Sequence, residues 1–198
     1  MPEMSHRHAT LCRSAPWRSV ARKIVLPWAL QGVAPEGDVL EIGAGSGAMA
    51  EQVLSSSPHT RLTATDFDHE MVDAIASRLA PFGDRATARQ ADATALPFPD
   101  DSFDAVLSFV MLHHTIEWEK ALDDAVRVVR PGGHVVGYDL LSAAPLRFIH
   151  RHHTDLRLMG WRELRDHVAS LPVDQVRIRR GLGGLVARFV LRKTYSPQ

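Results

Sequence analysis

Val39-Leu40-Glu41-Ile42-Gly43-Ala44-Gly45-Ser46-Gly47 decides the fold: a short apolar run that reads as a strand ends in three glycines at alternate positions. Met49, Val53 and Leu54 then recur as one side of a helix. Glycine lets a backbone approach a ligand without a side-chain clash, and the amide N–H groups at a helix start favour a carboxylate or phosphate. Tight strand-to-helix turns also need glycine for packing alone, so the turn by itself leaves both readings open.

Outward from that turn, strand-like and helix-like segments alternate, which predicts crossover units and a mainly parallel sheet. Leu62 to Thr65 reads as strand two, closed by Asp66, and Asp68 caps a helix carrying Met71, Val72, Ile75 and Leu79 that Pro81 and Gly83 end. Strand three is expected over Ala86–Ala91 and a central strand over Phe103–Phe109. Trp118, Leu122, Ala125, Val126 and Val129 mark the buried stripe of the next helix, which Pro131-Gly132-Gly133 stops. His134–Asp139 is strand five, Trp161–Leu171 one more helix, and Val173–Arg180 and Leu185–Arg192 the last two strands. Only Gly181-Leu182-Gly183-Gly184 separates that pair, so they form an antiparallel hairpin and bring the count to seven.

Asp66 lies nineteen residues beyond Gly47, close to the offset of about 20 at which an acid accepts hydrogen bonds from a ribose. In an open parallel sheet the ligand crevice lies beyond the carboxyl ends of the strands. Strands one to four end in Gly43–Gly47, Asp66, Asp92 and Ser108, four loops that a nucleoside-like ligand would touch together.

The 198 residues are expected to form one domain. Their 23 Lys and Arg balance 23 Asp and Glu, so no global field favours a phosphate backbone and a general nucleic-acid binder is disfavoured. The 45% apolar content excludes a disordered chain. The lone Cys12 forms no internal disulfide or cysteine-rich metal site, and no apolar run approaches about 18 residues, so the cytoplasm is the expected compartment. Arg7, Arg13, Arg18, Arg22 and Lys23 face only Glu3, a bias shared with transit peptides. Ser14-Ala15-Pro16-Trp17 nevertheless reads as a capped helix start, with Trp17, Val20, Ile24 and Trp28 as its stripe.

Val39–Gly47, Asp66, Ala91-Asp92-Ala93 with Leu96-Pro97-Phe98, and Arg127-Val128-Val129-Arg130-Pro131-Gly132-Gly133 together resemble the class I S-adenosylmethionine-dependent methyltransferases, over about residues 37–140. Asp101-Ser102-Phe103-Asp104 and Leu112-His113-His114 make the chain most similar to the small-molecule, type 11-like branch. The resemblance implies an α/β Rossmann-like fold with helices on both faces of a mostly parallel seven-stranded sheet, in order 3-2-1-4-5-7-6 with strand 7 antiparallel. It divides the single domain into an N-terminal helical cover (1–36), a cofactor core (37–140) and an acceptor-side segment with the terminal hairpin (141–198). It further implies S-adenosylmethionine as cofactor, held by Glu41, Gly43, Ala44, Gly45, Gly47, Asp66, Phe67, Asp92, Ala93 and Ser108. The glycine turn would cradle the methionine part, Asp66 the ribose, and Asp92 the adenine amine, with Phe67 and Ala93 on the adenine faces.

Methyl transfer from a sulfonium needs an acceptor atom held about 3–3.5 Å from the methyl carbon, and a base only where the acceptor carries a proton. His113 is the candidate catalytic residue, since an imidazole takes a proton near neutral pH, although shaping the pocket is an equal reading; His114 reads as structural or exposed. Tyr138 and Asp139 end strand five on the same edge. Ser108-Phe-Val-Met-Leu-His-His114 replaces the Asn-Pro-Pro-Tyr-like motif of nucleic-acid amino methyltransferases, which points to a small-molecule acceptor. The basic stretch Leu146–Thr154, with Phe148 and Ile149, would suit a lid over an anionic or lipid-like acceptor, or a membrane contact. His150, His152 and His153 point in different directions on a helix with no completing ligand, so no metal is expected. Two alternatives stand: a nicotinamide oxidoreductase, disfavoured because Ala48 replaces the last glycine of Gly-x-Gly-x-x-Gly, and a protein that binds S-adenosylmethionine without turnover.

Overall fold

A computed structural model describes residues 21–143 and 156–195. A π turn, Ala21–Val25, runs into the short helix α1 (Leu26–Leu30). Then follow β1 (Gly37–Ile42), α2 (Ala48–Ser56), β2 (Thr60–Asp66), α3 (His69–Leu79), β3 (Ala86–Gln90) and β4 (Phe103–Phe109). The second half comprises α4 (Trp118–Val128), β5 (Val129–Leu140), α5 (Trp161–Ser170), β6 (Val173–Gly181) and β7 (Val186–Lys193). The sheet order is β3-β2-β1-β4-β5-β7-β6, as expected. β7 runs antiparallel to both of its neighbours, and β1 to β5 pair in parallel.

Alternation along the central strands feeds two cores. Leu40, Ile42, Val106, Val135 and Phe189 face α4 and α5, whereas Val39, Leu62, Ala105, Leu107 and Val136 face α1, α2 and α3. In α4 the buried residues Trp118, Ala121, Leu122, Ala125 and Val126 recur at three- and four-residue steps, which lays one stripe on the sheet. Leu122 is fully enclosed there, and its truncation to Ala costs about 2–5 kcal/mol. Asp68 caps α3 as expected, its side chain accepting the Glu70 N–H.

Several boundaries differ from the sequence reading. Val129 is buried in β5, outside the helix, because the ladder with β4 starts at Phe103↔Val129 and resumes at Ala105↔His134. Pro131-Gly132-Gly133 therefore stops the helix and occupies an irregularity within the strand. Ile24 is 63% exposed; the buried residues of α1 are Leu26, Ala29 and Leu30. The wider π turn that precedes α1 shifts the helical phase away from a regular stripe. The expected cap and first turns at 14–20 lie outside the described residues, as do Leu146–Thr154 and its histidines.

Arg127 explains why two separated motifs occur together. Its guanidinium donates to Leu96 O, Phe98 O, Asp124 and Asp100, stitching the Leu96-Pro97-Phe98 loop to the end of α4. No helix among the described residues is long and apolar enough to cross a membrane.

Candidate active site

The glycine turn leaves β1 at the carboxyl edge of the sheet. Gly43, Gly45 and Gly47 all have positive φ (59°, 54° and 74°), a region that side-chain-bearing residues seldom occupy. Ala44 N–H donates to Thr65 O at 2.8 Å and Gly47 N–H to Ala44 O at 2.9 Å, which folds the turn against the end of β2. Gly47 is the N-cap of α2 and offers no side chain to its N–H groups. Arg78, from α3, braces the turn by donating to Ser46 O at 2.7 Å while pairing with Glu51. Arg78 carried no sequence signal, because its partner is a backbone carbonyl more than thirty residues away.

Asp66 closes β2 beside this turn. Its Oδ2 accepts Gly45 N–H at 2.8 Å and its Oδ1 accepts Asp68 N–H at 3.0 Å. Each oxygen retains acceptor capacity, since an ionised carboxylate has about four lone-pair sites. Phe67 follows and is 60% exposed. Asp92, exposed after β3, accepts the Thr94 N–H and hydroxyl on Oδ1, both at 2.8 Å, and Ala93 packs half-buried at the edge of the α4-side core.

Glu41 and Ser108 are both buried. Glu41 pairs with Leu107 and Ser108 with Ile42, so the two side chains emerge on opposite faces of the sheet. Glu41 Oε2 and Ser108 Oγ have no hydrogen-bond partner among the described residues. Burial pushes the Glu41 carboxyl from 4.5 up to about 8. On its face, burial and the charges of Asp139 and Glu41 push Tyr138 up to about 12. Tyr138 packs between Trp28 and Phe109, with ring centroids 5.2 and 5.6 Å away.

In the loop after β4, His113 is buried and His114 exposed. His113 Nδ1 lies 2.6 Å from Asp139 Oδ1, and the two imidazoles lie 4.1 Å apart between centroids. The edge therefore gathers Glu41, the glycine turn, Asp66, Phe67, Asp92, Ser108, His113 and Asp139. No group of three metal-binding side chains occurs among the described residues. Two cavities, of about 330 and 230 Å³, lie at the opposite edge, lined by Glu36, Arg130 and His134 and by Asp38, Arg61 and Thr87 respectively.

A nucleoside-bearing sulfonium cofactor fits these residues. The space in front of Gly45 is open among the described residues, with none of their atoms beyond its chain neighbours within 4 Å of where a β-carbon would stand. Beside it are an acid able to accept more hydrogen bonds and a buried carboxyl oxygen without a partner among the described residues.

An open α/β sheet in this strand order, with an acid facing a glycine turn at its carboxyl edge, defines the class I methyltransferase fold. Residues 40–137 match the family described as "Methyltransferase domain". The chain belongs to the class I S-adenosylmethionine-dependent methyltransferases. It is 37% identical over 135 residues to a demethylmenaquinone methyltransferase of Clavibacter sepedonicus, covering 68% of this chain and 51% of that one. It is 28% identical over 123 residues to the ubiquinone/menaquinone biosynthesis C-methyltransferase UbiE of Geotalea daltonii, covering 61% and 52%. The chain thus spans about half the length of these relatives. The YcgJ protein of Bacillus subtilis superposes with a TM-score of 0.70 at 20% identity, covering 90% of this chain and all of that one, a likeness of fold.

Proposed function

We propose that the protein transfers a methyl group from S-adenosylmethionine to a small-molecule acceptor and releases S-adenosylhomocysteine. The observation that carries this reading is the union of Gly45 and Asp66, an open glycine turn joined to an acid with acceptor capacity to spare. In this reading the turn from Gly43 through Ala44 and Gly45 to Gly47 holds the methionine part of the cofactor, and Asp66 its ribose hydroxyls. Asp92 accepts from the adenine amine, Phe67 and Ala93 flank the ring, and Glu41 and Ser108 supply buried polar atoms from the two faces of the sheet. When bound, the cofactor supplies an already activated methyl carbon. The chain's own task is to hold the acceptor in line with that carbon, exclude water and accept a proton where the acceptor carries one. His113 is the residue proposed for the proton.

The names of the relatives support a quinone-like acceptor, and the zero net charge supports a small molecule over nucleic acid. A lipid-like acceptor at a membrane surface and a cytoplasmic location are compatible with this proposal. The test is incubation of the protein with S-adenosylmethionine and reduced demethylmenaquinone. Production of S-adenosylhomocysteine above the no-acceptor rate is expected, and a rate equal to that background across a panel of phenolic, amine and thiol acceptors would favour the binding protein without turnover.

A further inference from the structure

The hairpin β6–β7 carries an unbalanced charge in a chain whose charges balance overall. Arg177, Arg179, Arg180 and Arg188 lie between Gln175 and Val190 with no acid in that stretch, and none of the four is paired with a carboxylate among the described residues. The register sets Arg179 opposite Arg188 on one face of the sheet, a like-charge pair that costs the fold stability. β7 runs antiparallel to both β5 and β6, so the hairpin tip stands at the carboxyl edge, the edge that carries the glycine turn and Asp66. At that tip Leu182 is 67% exposed and sits at φ 48°. Glycine or asparagine suits such a backbone, and a side chain this exposed adds little to the core. Arg188 donates to Trp28 O at 2.9 Å, Trp28 rests against Gly181, and Arg177 donates to Gln31 O at 3.0 Å. α1 therefore runs along β6 with its start toward the carboxyl edge, where Ile24 is exposed as well.

We propose that this end of the molecule docks on an anionic phospholipid bilayer. Leu182 and Ile24 enter the boundary between headgroups and acyl chains, while Arg177 and Arg179 from one face of the hairpin and Arg180 from the other hold lipid phosphates. Guanidinium groups pair with phosphate through forked hydrogen bonds, and an anionic layer relieves the repulsion between Arg179 and Arg188. Exposed aliphatic side chains beside cations match the layered chemistry of a membrane interface. A nucleic acid offers them no apolar layer, and the hairpin's one aromatic residue, Phe189, is fully buried and gives a base no ring to stack on. The segments 1–20 and 144–155 carry five arginines against Glu3 and Asp155, so their charge does not complement this surface. Docking sets the carboxyl edge next to the bilayer, where a lipid-like acceptor reaches it without crossing water. That consequence rests on the methyl-transfer reading, whereas the docking itself does not.

The test is flotation of the full chain, with no cofactor present, on vesicles of phosphatidylcholine alone and of phosphatidylcholine mixed equally with phosphatidylglycerol. Binding to the anionic vesicles is expected to exceed that to the neutral ones at least about ten-fold and to weaken as salt is raised. Arg177→Gln with Arg179→Gln should lower it about 20- to 30-fold, at roughly five-fold per arginine. Leu182→Asn, which suits the left-handed backbone and spares the core, should lower it about five-fold. No binding, equal binding to both vesicles, or anionic binding that both variants leave unchanged would overturn the proposal. So would a loss in the arginine variant alone together with equally tight binding to an RNA oligonucleotide, which would assign the patch to a polyanion without an apolar layer. Should a variant fail to fold, amide exchange of the native chain decides: anionic vesicles are expected to slow exchange in residues 180–186, and slowing confined to other segments would overturn the proposal. Calorimetry with S-adenosylhomocysteine tests the methyl-transfer reading separately, so the two fail independently.

Discussion

Met111 packs so closely over Gly43 that a β-carbon on the glycine would stand 2.7 Å from the Met111 Cβ. The first residue of the glycine turn and the loop after β4 are therefore fitted to each other. Gly43→Ala is expected to destabilise the protein by about 2–4 kcal/mol, combining overpacking with the strain of a positive φ. Trimming the neighbour should recover part of that loss, so Gly43→Ala and Met111→Ala together should be less destabilising than their sum in urea unfolding. Strict additivity would show that the two positions are independent.

Asp66→Ala removes the acceptor that Gly45 and Asp68 share. Affinity for S-adenosylhomocysteine is expected to fall at least about ten-fold by calorimetry, since charged hydrogen-bond partners contribute about 1.5–3 kcal/mol each. The far-ultraviolet circular dichroism should remain native. Gly45→Val tests the same site from the turn, where the side chain meets open space but φ opposes it. Unchanged affinity in both variants would remove this turn from the binding site.

Glu41 makes stability depend on pH in a defined direction. Its carboxyl titrates near 8 in the fold against 4.5 when free, so between these values the folded state holds the extra proton. Its contribution is fully present below about pH 4.5 and is lost as pH rises through about 8. Glu41→Gln should therefore melt close to the native protein at pH 5 and about 5 °C or more above it at pH 9. A Tm difference that does not change with pH would show that Glu41 does not titrate in this range.

Arg127 holds the Leu96–Phe98 loop through backbone carbonyls. Arg127→Met should destabilise the protein by about 1–2 kcal/mol, with faster amide exchange concentrated in residues 94–100. Unaltered exchange there would mean that the loop is held by its other contacts, Leu96 N–H on Asp124 and Phe98 against Phe103 and Arg89.

The layout of the sheet was legible because the strands alternate with helices and the terminal hairpin is joined by four residues. The Asp68 cap was legible for the same local reason, its partner lying two residues away. Arg78 on Ser46, Met111 against Gly43 and Asp139 beneath Leu112 and His113 were not, because each joins residues brought together only when the crossover units close. The strand start at Val129 was hidden by Pro131-Gly132-Gly133, which reads as an end to regular structure but here sits within a ladder irregularity. Val110 likewise gave no warning, since nothing in a valine marks a left-handed backbone.

Calorimetric titration of the purified protein with S-adenosylmethionine, S-adenosylhomocysteine and NADH tests the central claim most directly. The arrangement of Gly45 and Asp66 predicts micromolar affinity for the first two, about −8 kcal/mol, and none for NADH. Binding of NADH alone, or of no ligand at all, would contradict it.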